Sequence, residues 1–249
     1  VAKRSIRRNA DSILSIFFAL LVGCAAAYAF YTYLNESTYL RIKTIKVSGA
    51  SLVDPNEIVA LSGITSENNI FLIATAEIRT KILAMPYIEH CRVTRVFPDM
   101  VSISVEERVP VATLALRNQY FGIDANLNVL DTLDAHASHP GPLITQVPGL
   151  GTIEPGTQLS QPALRDAVDV WLAFLDTHVA QAVTVSEIAA PSTSDIRMYC
   201  NELSYEIRWG RGRPLQQATN LDTVWQYKNG RLGCTEYVDL RFDRDVACL

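Results

Sequence analysis

Histidine and cysteine, from which most metal centres and nucleophilic sites are built, number only four and five in 249 residues. His136 and His139 fall in "HASH" beside Pro140-Gly141-Pro142, with no cysteine or third histidine nearby. A zinc site needs three or four convergent ligands, so this pair reads as a solvated loop. His90 alternates to the exposed side of a strand, and His178 ends a helix, where a cation is welcome. Neither "HExxH" nor a serine-nucleophile elbow occurs. The glycines of "GLG" (149–151) and "WGRGR" (209–213) lack the strand-to-helix setting of a phosphate loop, which leaves Arg211 and Arg213 in a solvated loop. These absences argue against an enzyme, and no cofactor, metal or small-molecule substrate is expected.

Cysteine is also too sparse for a disulfide framework, and its spacings match no zinc site. Cys24 lies in an apolar run, and Cys91 alternates with Val93 toward a core. Among the others, a Cys200–Cys234 or a Cys234–Cys248 bridge is open to an oxidising compartment, and spacing does not choose between them. Basic charge is short outside the first twelve residues. Those carry Lys3, Arg4, Arg7 and Arg8 against Asp11, which leaves the remainder 18 basic and 25 acidic side chains, a net of −7. An acidic body cannot supply the phosphate neutralisation on which nucleic-acid affinity rests. Charged residues are nevertheless common enough, and apolar ones abundant enough, for packed cores rather than disorder. No internal repeat or low-complexity tract is present.

Charge is missing altogether from "ILSIFFALLVGCAAAYAFYTYL", residues 13–34. As a helix these 22 residues reach about 33 Å, enough for the bilayer core. Tyr28, Phe30, Tyr31 and Tyr33 gather at one end, as interfacial aromatics do. The basic flank places residues 1–12 in the cytoplasm, although Arg41, Lys43 and Lys46 on the far side weaken the asymmetry. A cleaved signal peptide has a shorter apolar region. "LVGC" (21–24) resembles a lipoprotein cleavage site, but apolar residues run on for ten positions past Cys24. The expectation is an uncleaved single-pass anchor.

Beyond a polar link at 35–39, "RIKTIKV" (41–47) reads as a half-buried strand closed by Gly49. Asp54 before Pro55 is a helix start, with Ile58, Val59, Leu61 and Ile64 as the apolar face and a stop near Gly63. A second helix fits 74–84, with Ile78, Ile82 and Leu83 on one face and Pro86 closing it. Strands at about 87–95 and 100–107 flank a turn at Phe97-Pro98-Asp99, and Val101, Ile103 and Val105 share one face of the second strand. The order is β-α-α-β-β. Glu106-Glu107-Arg108 leaves that sheet, either as a solvated strand end or as an interdomain pairing, and Pro110 marks the crossing to a second domain. There "ATLAL", "QYFGI", "LNVLD" and "LITQV" read as strands. Residues 161–178 read as an amphipathic helix with Leu164, Val168, Trp171, Leu172 and Leu175 near one face. Strands at about 195–200 and 203–209, a helix over 214–227 and a last strand from Glu236 complete it.

The β-α-α-β-β order is that of a POTRA module. The stretches "IKVSGA", "NNIF", "MPYIEHCRVTRVFPDMVSISVEERVPVA", "FGIDANLNVLD" and "YVDLRFD" together resemble the FtsQ/DivIB family of bacterial cell-division proteins. Tyr87 and Phe97 stand where that family usually has tryptophans, and Cys91 where it has a small residue. Leu127 replaces a turn glycine, so Asn126 or Asn128 is expected to carry the positive φ. The resemblance implies an α+β chain in four parts. These are a cytoplasmic tail (1–12), a transmembrane helix (13–34), a POTRA-like domain (40–108) and a mainly antiparallel β domain with two helices (109–249).

It also implies a non-catalytic scaffold of the division machinery in the inner membrane, concentrated at the septum, with its bulk outside the cytoplasm. Its expected partners are FtsB- and FtsL-like bitopic proteins, with other division proteins meeting the POTRA-like domain. "TEYVDLRFDRDVACL" alternates Tyr237, Asp239, Arg241 and Asp243 with Val238, Leu240 and Phe242, so one face is apolar. A late strand of this kind is expected to leave an open edge to which a partner strand adds. The resemblance makes Tyr237, Val238, Asp239, Leu240, Arg241 and Phe242 the partner-binding residues, with Phe242 at the family's contact aromatic. On alternation alone, Phe242 would be core. The competing function is an envelope biogenesis factor that receives unfolded client strands through a single POTRA module.

Overall fold

The computed structural model describes residues 2–136, 138–242 and 245–249, and only the backbone of 2–15 and 34–36. The side chains of the basic head (Lys3, Arg4, Arg7 and Arg8), and Asp243 of the last alternation, therefore lie outside the described residues. The chain opens with a 35-residue helix, α1 (Ala2–Glu36). Its window Ile16–Tyr33 has a mean hydropathy of 1.7 and nothing packed on it. By length and composition this is the one helix among the described residues able to cross a membrane. Two compact units are distinguishable: residues to Ile82 with His90–Glu106, and Leu83–Glu89 with Glu107–Leu249.

In the first unit β1 (Thr44–Ser48) is followed by α2 (Pro55–Ser62) and α3 (Thr75–Leu83), then by β2 (Ile88–Val96) and β3 (Met100–Glu107). The sheet order is β1-β3-β2, with β1 parallel to β3 from Thr44↔Met100 to Ser48↔Ser104. Asp54 caps α2 by accepting from Asn56 N at 2.8 Å, Pro55 fits the first turn, and Gly63 ends the helix in the left-handed region. Ile58, Ile78, Ile82, Val101, Ile103 and Val105 form the core. Leu61, expected on the buried face of α2, is exposed, and Ser62 is buried in its place. The helix has barely two turns, so a small rotation reassigns one position. Gly49 is required where it stands: its φ is +87°, and a Cβ there would lie 2.0 Å from Val105 O.

The second unit contains β4 (Pro110–Leu116), β5 (Gln119–Asp124), β6 (Val129–Leu133) and β7 (Leu143–Thr145). Next come α4 (Pro162–Leu175), the short α5 (Val179–Ala182), β8 (Val185–Ser192), β9 (Asp195–Cys200) and β10 (Glu206–Trp209). It closes with α6 (Pro214–Tyr227), β11 (Tyr237–Asp239) and β12 (Ala247–Cys248). The nine strands form one sheet ordered β12-β11-β10-β9-β8-β7-β4-β5-β6. The pairings β10–β11, β4–β7 and β7–β8 are parallel, and the other five described are antiparallel. The core joins Leu164, Val168 and Phe174 of α4 to Ile196, Met198 and Trp209, with Trp209 edge-on to Phe174 at 6.4 Å.

The buried stripe of α4 also takes in Ala167, Val170 and Ala173, while Leu175 is exposed. Trp171 is only half-buried and donates through Nε1 to Val111 O at 2.8 Å. Arg108 of the charged triplet pairs with Asp124 at 3.1 Å and Glu89 at 3.7 Å, and its N–H bonds to Tyr87 O. Tyr87 in turn donates to Asp131 at 2.7 Å.

Three expectations are corrected. Leu127 itself takes the positive φ, +64°, and it is buried. The turn is enforced by Asp124, which accepts from Asn126 N and Asn128 N at 2.8 Å each, so the side chain at 127 has no other course. The last strand is shorter than its alternation suggests, covering only Tyr237–Asp239. Its edge is not open, because β12 lies antiparallel against it with Val238↔Cys248 and Asp239↔Ala247. The bridge that forms is Cys234–Cys248, leaving Cys24, Cys91 and Cys200 as thiols.

Candidate partner-binding site

Strands β9, β10 and β11 alternate strictly. Ile196, Met198, Cys200, Ile207, Trp209 and Val238 point into the core and are buried. The residues between them line the opposite face: Asp195, Arg197 and Tyr199 on β9, Glu206 and Arg208 on β10, and Tyr237 and Asp239 on β11. The registers place Arg208 opposite both Arg197 and Asp239, and Glu206 opposite Tyr237.

Two arginines facing each other across a ladder would repel, yet each guanidinium is neutralised from its own strand. Arg197 grips Asp195 with two bonds of 3.0 and 2.7 Å, and Arg208 Nε donates to Glu206 Oε1 at 2.6 Å. Arg241, just past β11, donates through Nε to both Asp239 oxygens at 2.9 and 3.0 Å and through its own backbone N–H at 3.0 Å. In all three cases the acid stands two residues before the arginine, the spacing that puts both side chains on one face of a strand. Arg208 Cζ lies 3.8 Å over the Tyr237 ring, and Tyr199 donates to Glu206 Oε2 at 2.9 Å.

Protonation follows these contacts. The hydrogen bonds from Arg197 and Arg241 hold Asp195 and Asp239 below the usual carboxylate range, and both arginines are correspondingly raised. Burial, reinforced by Glu206, pushes Tyr199 up. The face is thus a fixed array of charge at neutral pH. The Asp195–Arg197 pair is exposed enough to contribute only the roughly 0–1 kcal/mol of a surface pair, while Glu206 and Asp239 are largely buried beneath their arginines; all three carboxylates hold guanidinium planes in position.

The six residues expected to bind a partner are not equivalent. Val238 and Leu240 are core residues, and Asp239 is buried beneath Arg241. Tyr237 is half-buried under Arg208, and Arg241 is exposed. Phe242 is 53% exposed, which removes the core reading of its position. The surface available here is therefore Tyr237, Arg241 and Phe242, continued by Arg208, Arg197 and Tyr199. Of those last three, Arg197 and Arg208 carry a sequence signal shared with Arg241, an acid-aliphatic-arginine triplet: "DIR" at 195–197, "EIR" at 206–208 and "DLR" at 239–241; Tyr199 has none.

Elsewhere, His139 stacks on Tyr120 with ring centres 4.7 Å apart, and its Nε2 lies 3.1 Å from Asp134 O. His178 Nδ1 is 2.9 Å from Asp222. No three His, Cys, Asp or Glu side chains converge as a metal-binding group among the described residues.

The model of the POTRA domain, FtsQ-type, matches residues 40–108. A cell division protein FtsQ of Syntrophotalea carbinolica is 26% identical over 239 residues, covering 94% of this chain and 81% of that protein. The FtsQ of Geotalea daltonii is 23% identical over 225 residues, covering 90% and 81%. A cell division protein DivIB of Clostridium tetani is 26% identical over 118 residues, covering 47% and 43%. With an FtsQ-type POTRA module over residues 40–108, an α+β fold behind one apolar helix, and relatives matched over nearly its whole length, the chain is similar throughout to the FtsQ/DivIB cell-division proteins.

Proposed function

We propose that this chain is a non-catalytic scaffold of the division machinery, anchored by α1 with its N-terminus in the cytoplasm. Its extracytoplasmic second unit holds FtsB- and FtsL-like bitopic partners at Tyr237–Phe242 and the adjoining outward face of β9–β11. The POTRA-like domain, residues 40–108, recruits other division proteins. One observation carries the reading: Phe242 is exposed directly after Arg241, one of three guanidiniums along β9–β11 that are already oriented and neutralised. Protein interfaces favour aromatic and arginine anchors, and fixed side chains lose less entropy when a partner arrives. Main-chain pairing beside such a face would supply affinity, and the array specificity.

The test is copurification of the full chain with its coexpressed FtsB/FtsL-like pair. Phe242→Ala should weaken capture roughly thirtyfold, the loss of about 2 kcal/mol typical of an aromatic anchor. Since Phe242 is exposed, its truncation leaves no cavity, and tryptophan emission should stay native. Undiminished capture by Phe242→Ala and by Arg241→Ala would place the binding face elsewhere.

A further inference from the structure

We infer that Phe71, Leu72, Val96 and Phe97 form a second membrane contact, docking the first unit on the surface of the bilayer that α1 crosses. This rests on α1 as the anchor and on no protein partner. Two loops supply the four side chains, residues 68–73 and 95–99. The Phe71 and Phe97 rings meet with centres 4.8 Å apart, which joins the loops into one patch. Phe71 is 47%, Leu72 53% and Phe97 55% exposed, and Val96 is exposed beside them, whereas Ile70 and Ile73 on either side of the first pair are buried. The loop is fixed in that attitude: Phe71 N–H donates to Asn69 Oδ1 at 2.9 Å, and Arg95 Nη2 donates to Ile73 O at 2.7 Å. A contiguous patch of large apolar side chains held outward marks a contact surface.

What covers the patch follows from where the chain leaves α1. Ile70 N–H donates to Leu40 O at 2.9 Å, Ile42 N–H to Asn68 O at 3.0 Å, and Lys43 N–H to Asp99 O at 2.8 Å. Both loops are thus bonded to residues 40–43. β1 starts beside the hairpin turn, with Thr44 opposite Met100, and runs away from it, so the patch and the link to α1 share one end of the sheet. Tyr33 ends the apolar window, and Leu40 follows seven positions later. The link holds the last turn of α1 and a 3-10 turn, Thr38–Leu40. At helical rises, and full extension for the rest, Leu40 stands at most about 15 Å beyond the window. Headgroups fill about 5–7 Å of that distance, which leaves the patch within side-chain reach of them.

The surrounding residues suit that layer. Tyr39, 67% exposed, precedes Leu40, and Arg41 and Lys43 are exposed beside it. Glu67 and Asp99 nearly balance these two and Arg95, so the contact rests on apolar burial more than on charge. A patch this small would hold a free domain weakly, but the short tether makes its docking intramolecular. The consequence is orientation: a second hold stops the unit swinging about residues 37–40.

The experiment places the full chain in vesicles of phosphatidylethanolamine and phosphatidylglycerol, with and without lipid spin-labelled near the headgroup. Wild type supplies the background emission of Trp171, Trp209 and Trp225. Phe97→Trp and Leu72→Trp add one reporter to each loop, and Glu106→Trp adds one to the far part of β3, about 20 Å from Met100. The label should remove about half or more of the added emission at 97 and at 72 and none at 106, because interfacial side chains sit about 5–10 Å into the headgroup boundary. Placing Phe71→Ser and Leu72→Ser in the Phe97→Trp chain should cut that quenching at least about twofold while proteolysis of the unit stays slow, since neither exposed side chain leaves a cavity. Equal quenching at 97 and 106, or none at 97 and 72, would overturn the contact. Absent quenching with crosslinking between chains at residue 97 would overturn it in favour of a second copy as the occupant. Undiminished quenching in the serine variant would mean that the tether alone sets the distance, and would overturn the role of the patch.

Discussion

Replacing Asp239 by Asn tests whether the outward array depends on a buried carboxylate. The side chain of Asp239 is 5% exposed and accepts from Arg241 Nε and from the Arg241 backbone. Asparagine keeps the shape and one acceptor but loses the charge that makes the guanidinium bonds strong. Losing a charge-assisted bond to a buried acceptor costs about 1.5–3 kcal/mol. Because Arg241 is 41% exposed and partly solvated already, the lower part of that range, about 1.5–2 kcal/mol, is the expectation.

The pH dependence has a definite sign. The folded carboxylate is held below its ordinary value, so its stabilisation is fully present above the unfolded pKa of about 3.9 and is lost as pH falls through the lower folded value. Wild type should therefore exceed Asp239→Asn at pH 7, and the gap should close toward pH 3. The chain's three tryptophans, Trp171, Trp209 and Trp225, all lie in the second unit, so urea unfolding followed by their emission reports that unit alone. A gap of the same size at pH 3 and pH 7 would refute the carboxylate as its cause.

Two further outcomes bear on the scaffold itself. Gly49→Ala combines a left-handed φ with a Cβ 2.0 Å from Val105 O and should destabilise the first unit by about 2–4 kcal/mol, seen as faster proteolysis there while tryptophan emission stays native. Trp171→Phe removes the 2.8 Å donation to Val111 O and should lower the urea midpoint of the second unit by an amount equivalent to about 1 kcal/mol, whereas an unchanged midpoint would mean that water replaces the bond without loss.

The first unit was legible because its signals are local. Asp54-Pro55, Gly49, Gly63 and the alternation Val101, Ile103, Val105 each act within a few residues of where they are written. The second unit is built from pairings distant in sequence, and there legibility drops. β8 escaped detection because "VSEIAAPS" alternates poorly and carries a proline; it is a strand because β7 and β9 flank it. β12 was unreadable for the same reason, since a two-residue strand has no period and exists only through β11 and Cys234. Spacing alone left two bridges possible because it does not say which cysteines the sheet order brings together.

Leu127 shows the converse failure, a rule applied correctly to the wrong residue. Positive φ disfavours leucine by about 1–2 kcal/mol, which pointed to the neighbouring asparagines. Full burial of a leucine is worth about 1.5–3 kcal/mol, and Leu127 is buried against the core with its carbonyl bonded to Leu159 N at 2.9 Å. Had either asparagine taken the left-handed position, the leucine would have left the core and Asp124 would have lost its paired backbone donors. Burial outweighs strain here by a small margin, one that local conformational preference cannot reveal. The partner face was hidden in the same way. Each acid-aliphatic-arginine triplet is unremarkable alone, and only the order β9-β10-β11 sets the three side by side and turns three separate ion pairs into one surface.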